Sequence, residues 1–381
     1  MQHIYIQDSK TLLEYCQQAA KAEVLAIDTE FVRTRTLIPK LGLIQAYDGH
    51  TLALIDPVLT DDLSSFWQLL ADPTLLKIIH SCSEDLEVFL HSGQCRPANM
   101  LDSQIAMAFL GHGLSMGYAA MVKHFLDIDL DKSESRTDWM KRPLSAKQLE
   151  YAAADVYYLH QISTTVIELV KTAGWYDAVM SDTDAMVDKK FSKTDPMALY
   201  LDFKGAWRLK PRQLLRLQYL LQWRYELAQK KDLPYSFIAK DHTLLIVAEN
   251  NPKSVGAMAS YEGVEILDVR HKGKAMLSVL NQVNQVPESE EPSAIKRLDN
   301  HPGYKQIFKR LKSFVQQLAK EQDLDIQVVA GKKQLNQFLA WYWKINQAGN
   351  QDQVELLSGW RQVLFADKLM AFAHNDFQLK S

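Results

Sequence analysis

The sequence has few cysteines, and their arrangement excludes two classes of small-domain architecture. The 381 residues include three cysteines, Cys16, Cys82 and Cys95, an odd number without a CxxC spacing. Zinc-binding frameworks and disulfide frameworks both need regularly spaced cysteines. The sequence therefore predicts a protein of a reducing compartment, without a zinc site or a disulfide framework.

Long hydrophobic runs are also missing. No apolar stretch approaches the ~18 residues that a membrane-spanning helix needs, and residues 1–5 lack the basic and apolar regions of a signal peptide. Apolar residues make up 47% of the chain and charged residues 23%, which is ordinary for a globular protein. We therefore expect a cytoplasmic protein of two or three domains with no membrane contact.

Net positive charge, the usual mark of a nucleic-acid-binding protein, is absent overall, since the formal net charge is −3. The two halves differ, however. Residues 1–195 carry 17 Lys and Arg against 27 Asp and Glu, whereas residues 196–381 carry 26 against 19. Such asymmetry favours a polyanion-binding second half, although unrelated domains could also differ this much.

Residues 24–31 form the most informative stretch of the chain. Four aliphatic or small residues lead directly into Asp28 and Glu30, and a short continuous apolar run predicts a strand that is buried on both faces. Side chains two apart on a strand point the same way. The two carboxylates therefore either hold a cation together or lie at a hydrated strand end.

Several further strands predict an α/β domain with a mixed sheet. Strands are expected at 3–7, 24–31, 41–47, 51–56 and 75–80. A helix capped by Asp8 or Ser9 is expected to follow the first strand within residues 1–21, another helix at 61–71, and mainly helical structure from 81 to 195. Asp48-Gly49 is a strong hairpin signal between the strands at 41–47 and 51–56. The sheet should therefore contain neighbouring antiparallel strands near its start.

A third carboxylate is predicted at a helix start. Ser81 and Glu84 have the spacing of a capping box, which would place Asp85 in the first helical turns, where the helix dipole favours a negative charge. Asp85 could equally be a helix-terminal charge with no further role.

A fourth carboxylate lies one helical turn from a tyrosine. Ser145 and Gln148 form a second capping box. The helix that it opens carries Tyr151 and Asp155 four residues apart, on one face. Taken alone, Asp155 could be an exposed helix residue and Tyr151 a half-buried one.

Together the four acids favour a particular metal chemistry. Asp28, Glu30, Asp85 and Asp155 offer only hard oxygen ligands, which suit magnesium or manganese. Two such ions ~3.5–4 Å apart form the known arrangement for in-line phosphoryl displacement. With an ordinary pKa of about 10, a tyrosine such as Tyr151 is a poor base at neutral pH, so we expect it to orient the attacking water first and to transfer protons second.

These residues lie in segments that resemble a known family. The segments are IDTEF at 27–31, HSCSEDL at 80–86 and YAAAD at 151–155. They resemble the three motifs of the DEDD exonucleases, which cut nucleic acid 3′ to 5′ on a ribonuclease H-like fold. The tyrosine four residues before the last aspartate marks the DEDDy subclass. The sister subclass has a histidine five residues before it, where this chain has Glu150.

Further segments make the resemblance more specific, since they are similar to those of the ribonuclease D family. They are FVR at 31–33, PKLGLIQ at 39–45, LDSQ at 101–104, DKSESRTDW at 131–139 and RPL at 142–144.

The resemblance implies a role for each catalytic residue. Asp28, Glu30 and Asp155 would hold the metal ion that carries the attacking water. Asp28 would bridge to a second ion, on which Asp85 would act through water, and Tyr151 would orient the nucleophile.

The resemblance also implies contacts to RNA. Thr29 and Phe31 would contact the terminal nucleotide, although a core role for Phe31 is an alternative. His80 would bind near the scissile bond, or it could be a structural histidine at a strand end. The loop 132–142, with Arg136 and Trp139, would face the substrate unless it is a plain surface loop.

The second half contains the segments LQWR at 221–224, LP at 233–234 and NPKS at 251–254. They resemble segments of HRDC domains, which are small helical nucleic-acid-binding modules. A helix starting at Pro211 carries Arg212, Arg216, Tyr219 and Trp223 away from its apolar stripe. Such a face could bind a single strand by phosphate contacts and stacking, although Trp223 could equally belong to the core. We predict RNA-binding roles for Arg212 and Arg216.

The HRDC-like module is repeated along the chain. At an offset of 91 residues, six of the eighteen positions from 227 to 244 are identical, which indicates a second, degenerate copy: Leu227, Ala228, Asp232, Leu233, Ala239 and Leu244 match Leu318, Ala319, Asp323, Leu324, Ala330 and Leu335. An acidic Pro/Ser segment at 286–293 separates the copies. The predicted fold is a ribonuclease H-like mixed-sheet α/β exonuclease domain at 1–195, followed by two small all-α HRDC-like domains at 207–285 and 295–376.

The resemblance thus implies a cytoplasmic, monomeric 3′→5′ exoribonuclease with two divalent ions, magnesium or manganese. Its substrates would be transfer RNA precursors and other small structured RNAs with 3′ extensions, and its products 5′-nucleotides. Two alternatives are a DNA 3′→5′ exonuclease of the same family and a non-catalytic RNA-binding protein with a vestigial nuclease domain. The second alternative predicts a missing carboxylate or tyrosine, and none is missing.

Overall fold

The computed structural model describes residues 1–131, 133–346 and 349–378. Two compact units are found along the chain. One comprises Met1–Val32, Pro39–Ser192 and Lys305–Ser381, and the other comprises Arg33–Ile38 and Lys193–Tyr304. The second helical repeat therefore belongs to the same compact unit as the mixed-sheet domain. The domain limits 1–195, 207–285 and 295–376 stay predictions.

The first unit contains a six-stranded sheet. Its strands are β1 (Ile4–Ile6), β2 (Val24–Val32), β3 (Lys40–Tyr47), β4 (Leu52–Ile55), β5 (Leu76–Ile79) and β6 (Met100–Asp102), in the order β1-β4-β3-β2-β5-β6. β3 runs antiparallel to β2 and β4, whereas β1/β4, β2/β5 and β5/β6 are parallel pairs. The predicted mixed sheet is confirmed. β6 was missed because it is three residues long and lies in a segment predicted to be helical.

Helices cover the sheet and extend the unit. They are α1 (Ser9–Ala19), α2 (Ser64–Ala71), α3 (Asp85–Val88) with a π-helical turn (Phe89–Gly93), α4 (Ser103–Phe109), α5 (Tyr118–Leu126), α6 (Ala146–Thr172) and α7 (Tyr176–Phe191). The capping box predicted for α6 is present, since the Gln148 N–H donates to the Ser145 side chain while the Gln148 side chain accepts from the Ser145 N–H.

The second unit and the C-terminal part of the chain are helical. Their helices are α8 (Pro211–Lys231), α9 (Tyr235–Ile238), α10 (Asp241–Asn250), α11 (Val255–Ala259), α12 (Ile266–Val283), α13 (Tyr304–Lys320), α14 (Ile326–Val329), α15 (Lys332–Tyr342) and α16 (Gly359–His374). Single 3₁₀ turns lie at Ala206–Arg208, Glu288–Glu290, Leu298–Asn300, Gln351–Gln353 and Glu355–Leu357.

The internal repeat is visible in the backbone. Asp232 follows α8 with φ 49°, and Asp323 follows α13 with φ 55°. In each copy the next short helix ends at an alanine with φ −160°, Ala239 after α9 and Ala330 after α14. The identical positions therefore mark the same turns in both copies.

The second copy packs against the mixed-sheet domain through a partly buried carboxylate of α7. Asp182 accepts hydrogen bonds from the Arg361 guanidinium at 2.7 and 3.0 Å and from the Trp360 indole at 2.9 Å. Trp360 also contacts the rings of Phe109 and Trp175. Because these contacts join α16 to α4 and α7, truncating the chain before α13 would remove part of the first unit.

β2 lies at the centre of the sheet, which explains its apolar start. Leu25, Ala26 and Ile27 are at most 1% exposed, as expected for a strand covered on both faces. The β2–β3 register shifts between Glu30 and Phe31, since Glu30 pairs with Leu43 and Phe31 with Leu41. Gly42 is thus the extra residue of a β-bulge, a feature that bends a strand and re-aims its side chains.

Candidate metal centre

Three carboxylates converge at the end of β2. Asp28 and Glu30 point the same way from that strand, and Asp155 reaches them from α6. One side-chain oxygen of each residue lies within 4.8 Å of the others. All three are partly exposed, so the cluster is open to solvent and to a substrate.

Asp85 joins this cluster through a hydroxyl. The Thr29 Oγ1 donates to Asp85 Oδ1 at 2.5 Å, and both residues are nearly buried. Thr29 lies between the two acids of β2, so its side chain points to the opposite face, where α3 begins. Asp85 is not one of the three tightly grouped acids. Thr29, which lies on the strand that carries Asp28 and Glu30, holds Asp85 next to them.

The turn before Asp85 is held differently from the sequence prediction. Ser81 does not cap the helix, because the helix begins only at Asp85 and has no side-chain cap. Instead the backbone N–H groups of Ser81 and Cys82 donate to the Asp102 carboxylate at 3.0 and 2.9 Å. Asp102 thus fixes the backbone that presents Asp85, and the predicted capping box is wrong.

Burial and mutual repulsion disfavour ionisation of the acids. Burial, reinforced by the charges of Asp85, Asp155 and Glu30, raises the pKa of Asp28 well above its ordinary value. Burial raises the pKa of Glu30 to about 9, that of Asp155 to about 8 and that of Asp85 to about 7. Without a cation, the cluster would retain protons at neutral pH.

These residues fit a divalent cation. Their donor set consists only of carboxylate oxygens, which is what magnesium and manganese prefer. Three of those oxygens lie close enough to share one ion, and a cation would relieve the repulsion that raises their pKa values.

Metal binding should therefore depend on pH. The raised carboxylate pKa values make the metal-free fold lose stability as pH rises from about 4.5 to about 9. A divalent ion needs the deprotonated form. We therefore expect magnesium to raise the melting temperature more at about pH 8.5 than at about pH 5.5. The difference between the two increases should be about 3 °C or more.

Differential scanning fluorimetry with and without EDTA measures this difference. Asp28→Asn is the control and should show a much smaller magnesium effect at both pH values. An equal magnesium effect at low and high pH in the unmodified chain would contradict the metal centre.

Tyr151 lies one turn before Asp155 on α6, beside the acids. Burial and the charges of Asp155, Glu30 and Asp28 raise the pKa of Tyr151 well above its ordinary value. The hydroxyl is thus protonated at neutral pH and can donate a hydrogen bond. Its ring lies 6.2 Å from the ring of Trp139, centroid to centroid.

Trp139 lies behind Tyr151 rather than on the surface. It is 1% exposed, so it is not available to stack on a base, as the prediction of RNA contact requires. Its indole nitrogen has no hydrogen-bond partner among the described residues. Trp139 is buried because the loop 132–142 that carries it is attached to the sheet.

Arg142 makes that attachment. Its guanidinium donates to Asp56 Oδ1 at 2.7 Å, to the Gly42 carbonyl at 2.6 Å and to the Trp139 carbonyl at 2.8 Å. The Asp56 side chain is fully buried. One arginine thus joins the loop, the bulge and the end of β4.

Gly42 is required by the close approach of this loop. A Cβ at position 42 would lie 2.7 Å from both the Cβ and the carbonyl oxygen of Trp139. We expect Gly42→Ala to lower the free energy of unfolding by about 1–3 kcal/mol and to reduce kcat, because Trp139 and then Tyr151 must shift. Denaturant unfolding and RNA hydrolysis measure the two effects.

Gly256→Ala is the matched control, because its nearest neighbour would be 3.9 Å away. It should leave kcat unchanged and should not lower the free energy of unfolding, because alanine is more favourable than glycine in a helix. If the two alanine variants behaved alike, the loop would not position Tyr151 in the way described.

Two positioning residues escaped the sequence analysis besides Asp102. The Tyr118 hydroxyl donates to the backbone carbonyls of Ala154 at 3.0 Å and Asp155 at 2.6 Å, which fixes the helix at the metal-binding residue. The Thr29 hydroxyl positions Asp85, and the contact of Thr29 with the terminal nucleotide, expected through its backbone, stays a prediction. Local patterns carry no signal for either contact, because the partners are far apart in the sequence.

The other predicted RNA contacts of this unit differ in exposure. Phe31 is partly buried and packs against the core. His80 is bound at both ring nitrogens, to Ser103 Oγ at 2.9 Å and to the Met116 carbonyl at 3.0 Å, which fits the structural alternative. Arg136 is exposed, whereas Lys132 of the same loop lies outside the described residues.

Arg212 and Arg216 are held by the protein itself. Arg212 donates to the carbonyls of Val283 and Val286 at 2.7 and 2.8 Å, and Arg216 donates to the Ala248 carbonyl at 3.1 Å. Both side chains are partly buried. They stabilise the ends of α12 and α10, and the RNA-binding roles of the two arginines stay predictions.

The fold and the acidic site define a 3′-5′ exonuclease. A family model described as 3'-5' exonuclease matches residues 3–169. A model described as HRDC domain matches residues 213–280, and one described as Ribonuclease D, C-terminal HRDC domain matches residues 302–369.

Relatives narrow the class to one family. The chain is 41% identical over 364 residues to the ribonuclease D of Musicola paradisiaca, with 96% of each chain covered. It is 38% identical over 369 residues to that of Escherichia coli, covering 97% of this chain and 98% of the relative. The crystal structure of E. coli RNase D, described as an exoribonuclease involved in structured RNA processing, matches with a TM-score of 0.94 and 37% identity, covering 99% of this chain and 100% of that chain.

The chain therefore belongs to the ribonuclease D family and is a 3′→5′ exoribonuclease. Its type of exonuclease fold is divalent-metal dependent. Within the described residues, no helix is long and apolar enough to cross a membrane.

Proposed function

We propose that this chain trims the 3′ trailers of transfer RNA precursors and other small structured RNAs, releasing 5′-nucleotides by hydrolysis assisted by two divalent ions. The convergence of Asp28, Glu30 and Asp155, with one oxygen of each within 4.8 Å of the others, carries the proposal. Family membership alone does not define the RNA substrates, the products or the number of ions. These parts of the proposal rest on the contacts of the site residues.

The four acids would not contribute equally to the binding of the two ions. Asp28, Glu30 and Asp155 would hold the first ion, because they form the tight group. Asp28 would be shared with the second ion, and Asp85 would act on that ion through water. The hydrogen bond from Thr29 to Asp85 supports this indirect role, since it occupies one of the two carboxylate oxygens.

The ions, when bound, would acidify a water and neutralise the charge that develops on the phosphate and on the leaving 3′-oxygen. Tyr151 would donate a hydrogen bond that orients the attacking water. Trp139 would hold the Tyr151 ring in place from behind, with Arg142 and Gly42 fixing its loop. The RNA chain would end at the acids with its terminal ribose near Thr29 and Phe31.

Beside the acids there is a pocket of about 270 Å³, whose lining includes Tyr151, Tyr158, Lys147 and five carboxylates, those of Asp129, Asp131, Glu134, Glu150 and Asp155. Its position next to Tyr151 and Asp155 suits the end of a single strand better than a duplex. We propose that unpaired 3′ ends enter here and that trimming stops where a stem prevents further entry.

The proposed setting is the cytoplasm, and the proposed assembly is a monomer. The three cysteines form no disulfide with one another, which supports the first of these. Structured RNAs are favoured as substrates because the solved relative is described as an exoribonuclease involved in structured RNA processing.

The proposal is tested with three substrates of matched sequence: a transfer RNA with a 3′ extension, a single-stranded RNA and a single-stranded DNA. We expect the extended transfer RNA to be shortened to the base of its acceptor stem, and the RNA strand to be hydrolysed much faster than the DNA strand. Comparable rates on RNA and DNA would favour the DNA exonuclease instead.

A further inference from the structure

A groove lies on the second helical repeat, away from the residues used above. It has a volume of about 450 Å³ and lies between α13, α16 and the residues that follow α16. Its lining consists of basic, aromatic and amide side chains and one hydroxyl: Lys309, Arg310, Ser313, Phe314, Gln317, Phe372, Phe377 and Gln378.

The rim of this groove is strongly basic. α13 contains five basic residues, Lys305, Lys309, Arg310, Lys312 and Lys320, and no acidic residue. Lys309 and Arg310 are exposed, and within the described part of the chain neither forms a salt bridge. Two adjacent, uncompensated cations at the edge of a groove attract an anionic ligand.

The floor of the groove is aromatic. The rings of Phe314 and Phe372 are stacked at 4.1 Å with an angle of 12° between their planes. Phe377 meets Phe372 edge-on at 5.8 Å. Phe372 and Phe377 are 6% and 2% exposed, whereas Phe314 is partly exposed. The stack is therefore anchored in the core and presents Phe314 to the groove.

We propose that this groove binds a single-stranded segment of the RNA substrate, with one unpaired base against Phe314 and the flanking phosphates against Lys309 and Arg310. Single-strand binders combine cationic contacts to phosphates with aromatic platforms for bases, and this is the combination found here. Gln317 and Gln378 supply amide groups that can hydrogen-bond a base edge.

The inference rests on the proposed RNA substrates, and it assigns binding to a different repeat from the one that the sequence favoured. Arg212 and Arg216 of the first repeat are partly buried and donate to backbone carbonyls. Lys309 and Arg310, in contrast, are exposed. The second repeat would thus bind RNA through Lys309 and Arg310, and neither residue is among the six positions that are identical in the two repeats.

The test compares two double variants of the full chain that remove the same charge. Lys309→Gln/Arg310→Gln changes the groove, and Lys312→Gln/Lys320→Gln changes α13 outside the groove lining. Fluorescence anisotropy with a 3′-extended transfer RNA measures affinity over a range of salt concentrations. EDTA blocks metal-dependent hydrolysis during the measurement.

We expect the groove variant to bind about tenfold more weakly than the unmodified chain and to lower the salt slope by about 1.4, as two lost contacts to a single strand require. The control variant should lose at least threefold less affinity than the groove variant. A smaller difference between the two variants would overturn the proposal, because it would show a general charge effect.

Phe314→Leu tests the stacking contact at unchanged charge. It should weaken binding about fivefold or more, the lower end of what stacking of a base on an aromatic ring contributes, without changing the salt slope. Melting temperatures check that the variants are folded, and the charge pair decides the proposal if Phe314→Leu does not fold. Unchanged affinity of a folded Phe314→Leu would overturn the stacking contact.

Two measurements distinguish this proposal from a site for anions in general and from an effect on hydrolysis at the acids. Poly-glutamate at equal charge concentration should displace the RNA poorly, and equal displacement would show a site for anions in general and overturn the proposal. Hydrolysis of a tetranucleotide should be unchanged in the groove variant, because so short a strand ends at the acids. An equal loss on the tetranucleotide would overturn the groove as a separate site, whereas failure of the unmodified chain to trim transfer RNA would overturn the proposed function itself.

Discussion

Asp28→Ala should abolish nearly all hydrolysis, with a loss in kcat of about 1,000-fold, which corresponds to about 4 kcal/mol of transition-state stabilisation. Asp28 is the acid that we propose to be shared by both ions, and it lies among Glu30, Asp85 and Asp155, whose charges all raise its pKa. The substitution would remove one ligand from each of the two proposed ions, so the remaining acids would no longer be linked by a shared ligand.

The measurement is single-turnover hydrolysis of a 3′-extended RNA in saturating magnesium or manganese. Glu168→Gln is the matched control, because Glu168 is an exposed carboxylate on the same helix as Asp155 and belongs neither to the three-acid group nor to the lining of the pocket beside it. It should retain activity within about threefold of the unmodified chain. If Asp28→Ala kept activity within about tenfold, the shared ligand would be assigned wrongly.

Tyr151→Phe should lower kcat by about 100-fold while leaving RNA affinity almost unchanged, in the range expected for losing a group that assists proton movement. The phenylalanine keeps the ring against Trp139 and removes only the hydroxyl. Because the hydroxyl is protonated at neutral pH, its loss removes a hydrogen-bond donor and not a free base. The pH dependence of the remaining activity should therefore keep its shape.

Tyr157→Phe on the same helix is the control. Tyr157 stacks on Tyr47 at 5.7 Å, away from the three acids, so its hydroxyl should be dispensable. Separate determination of kcat and of the dissociation constant in EDTA distinguishes the two roles. A Tyr151→Phe protein with normal turnover and weak binding would mean that Tyr151 holds the RNA rather than the water.

Strand and helix periodicity were sufficient to predict most of the site. The alternation of β2 places Asp28 and Glu30 on one side, and the i, i+4 spacing on α6 places Tyr151 beside Asp155. Both patterns are local, and the structure contains both. What local patterns do not give is the meeting of β2, α3 and α6, and there the resemblance to a family supplied the grouping.

Long-range contacts explain what could not be predicted. Asp102 holds the turn before Asp85, Thr29 binds Asp85, and Tyr118 binds the backbone at Asp155, all between segments that are distant in the sequence. Trp139 was assigned to the substrate because polar and basic residues surround it. Its burial depends on a glycine about a hundred residues earlier, which no composition argument reveals.

The helical half shows the same limit. A polar helix face predicted that Arg212 and Arg216 bind RNA, but a guanidinium on such a face can equally bind the exposed carbonyls of a neighbouring helix end. Both arginines do so here. The turns of the two repeats were easier to predict, because the same aspartate and alanine recur at positions where the backbone requires them.

Product analysis on a transfer RNA with a short 3′ extension, labelled at either end in parallel reactions, tests the central claim most directly. We predict that nucleotides leave one at a time from the 3′ end as 5′-monophosphates, and that EDTA stops the reaction. Release of oligonucleotides, products with 3′-phosphates or undiminished hydrolysis in EDTA would contradict the account.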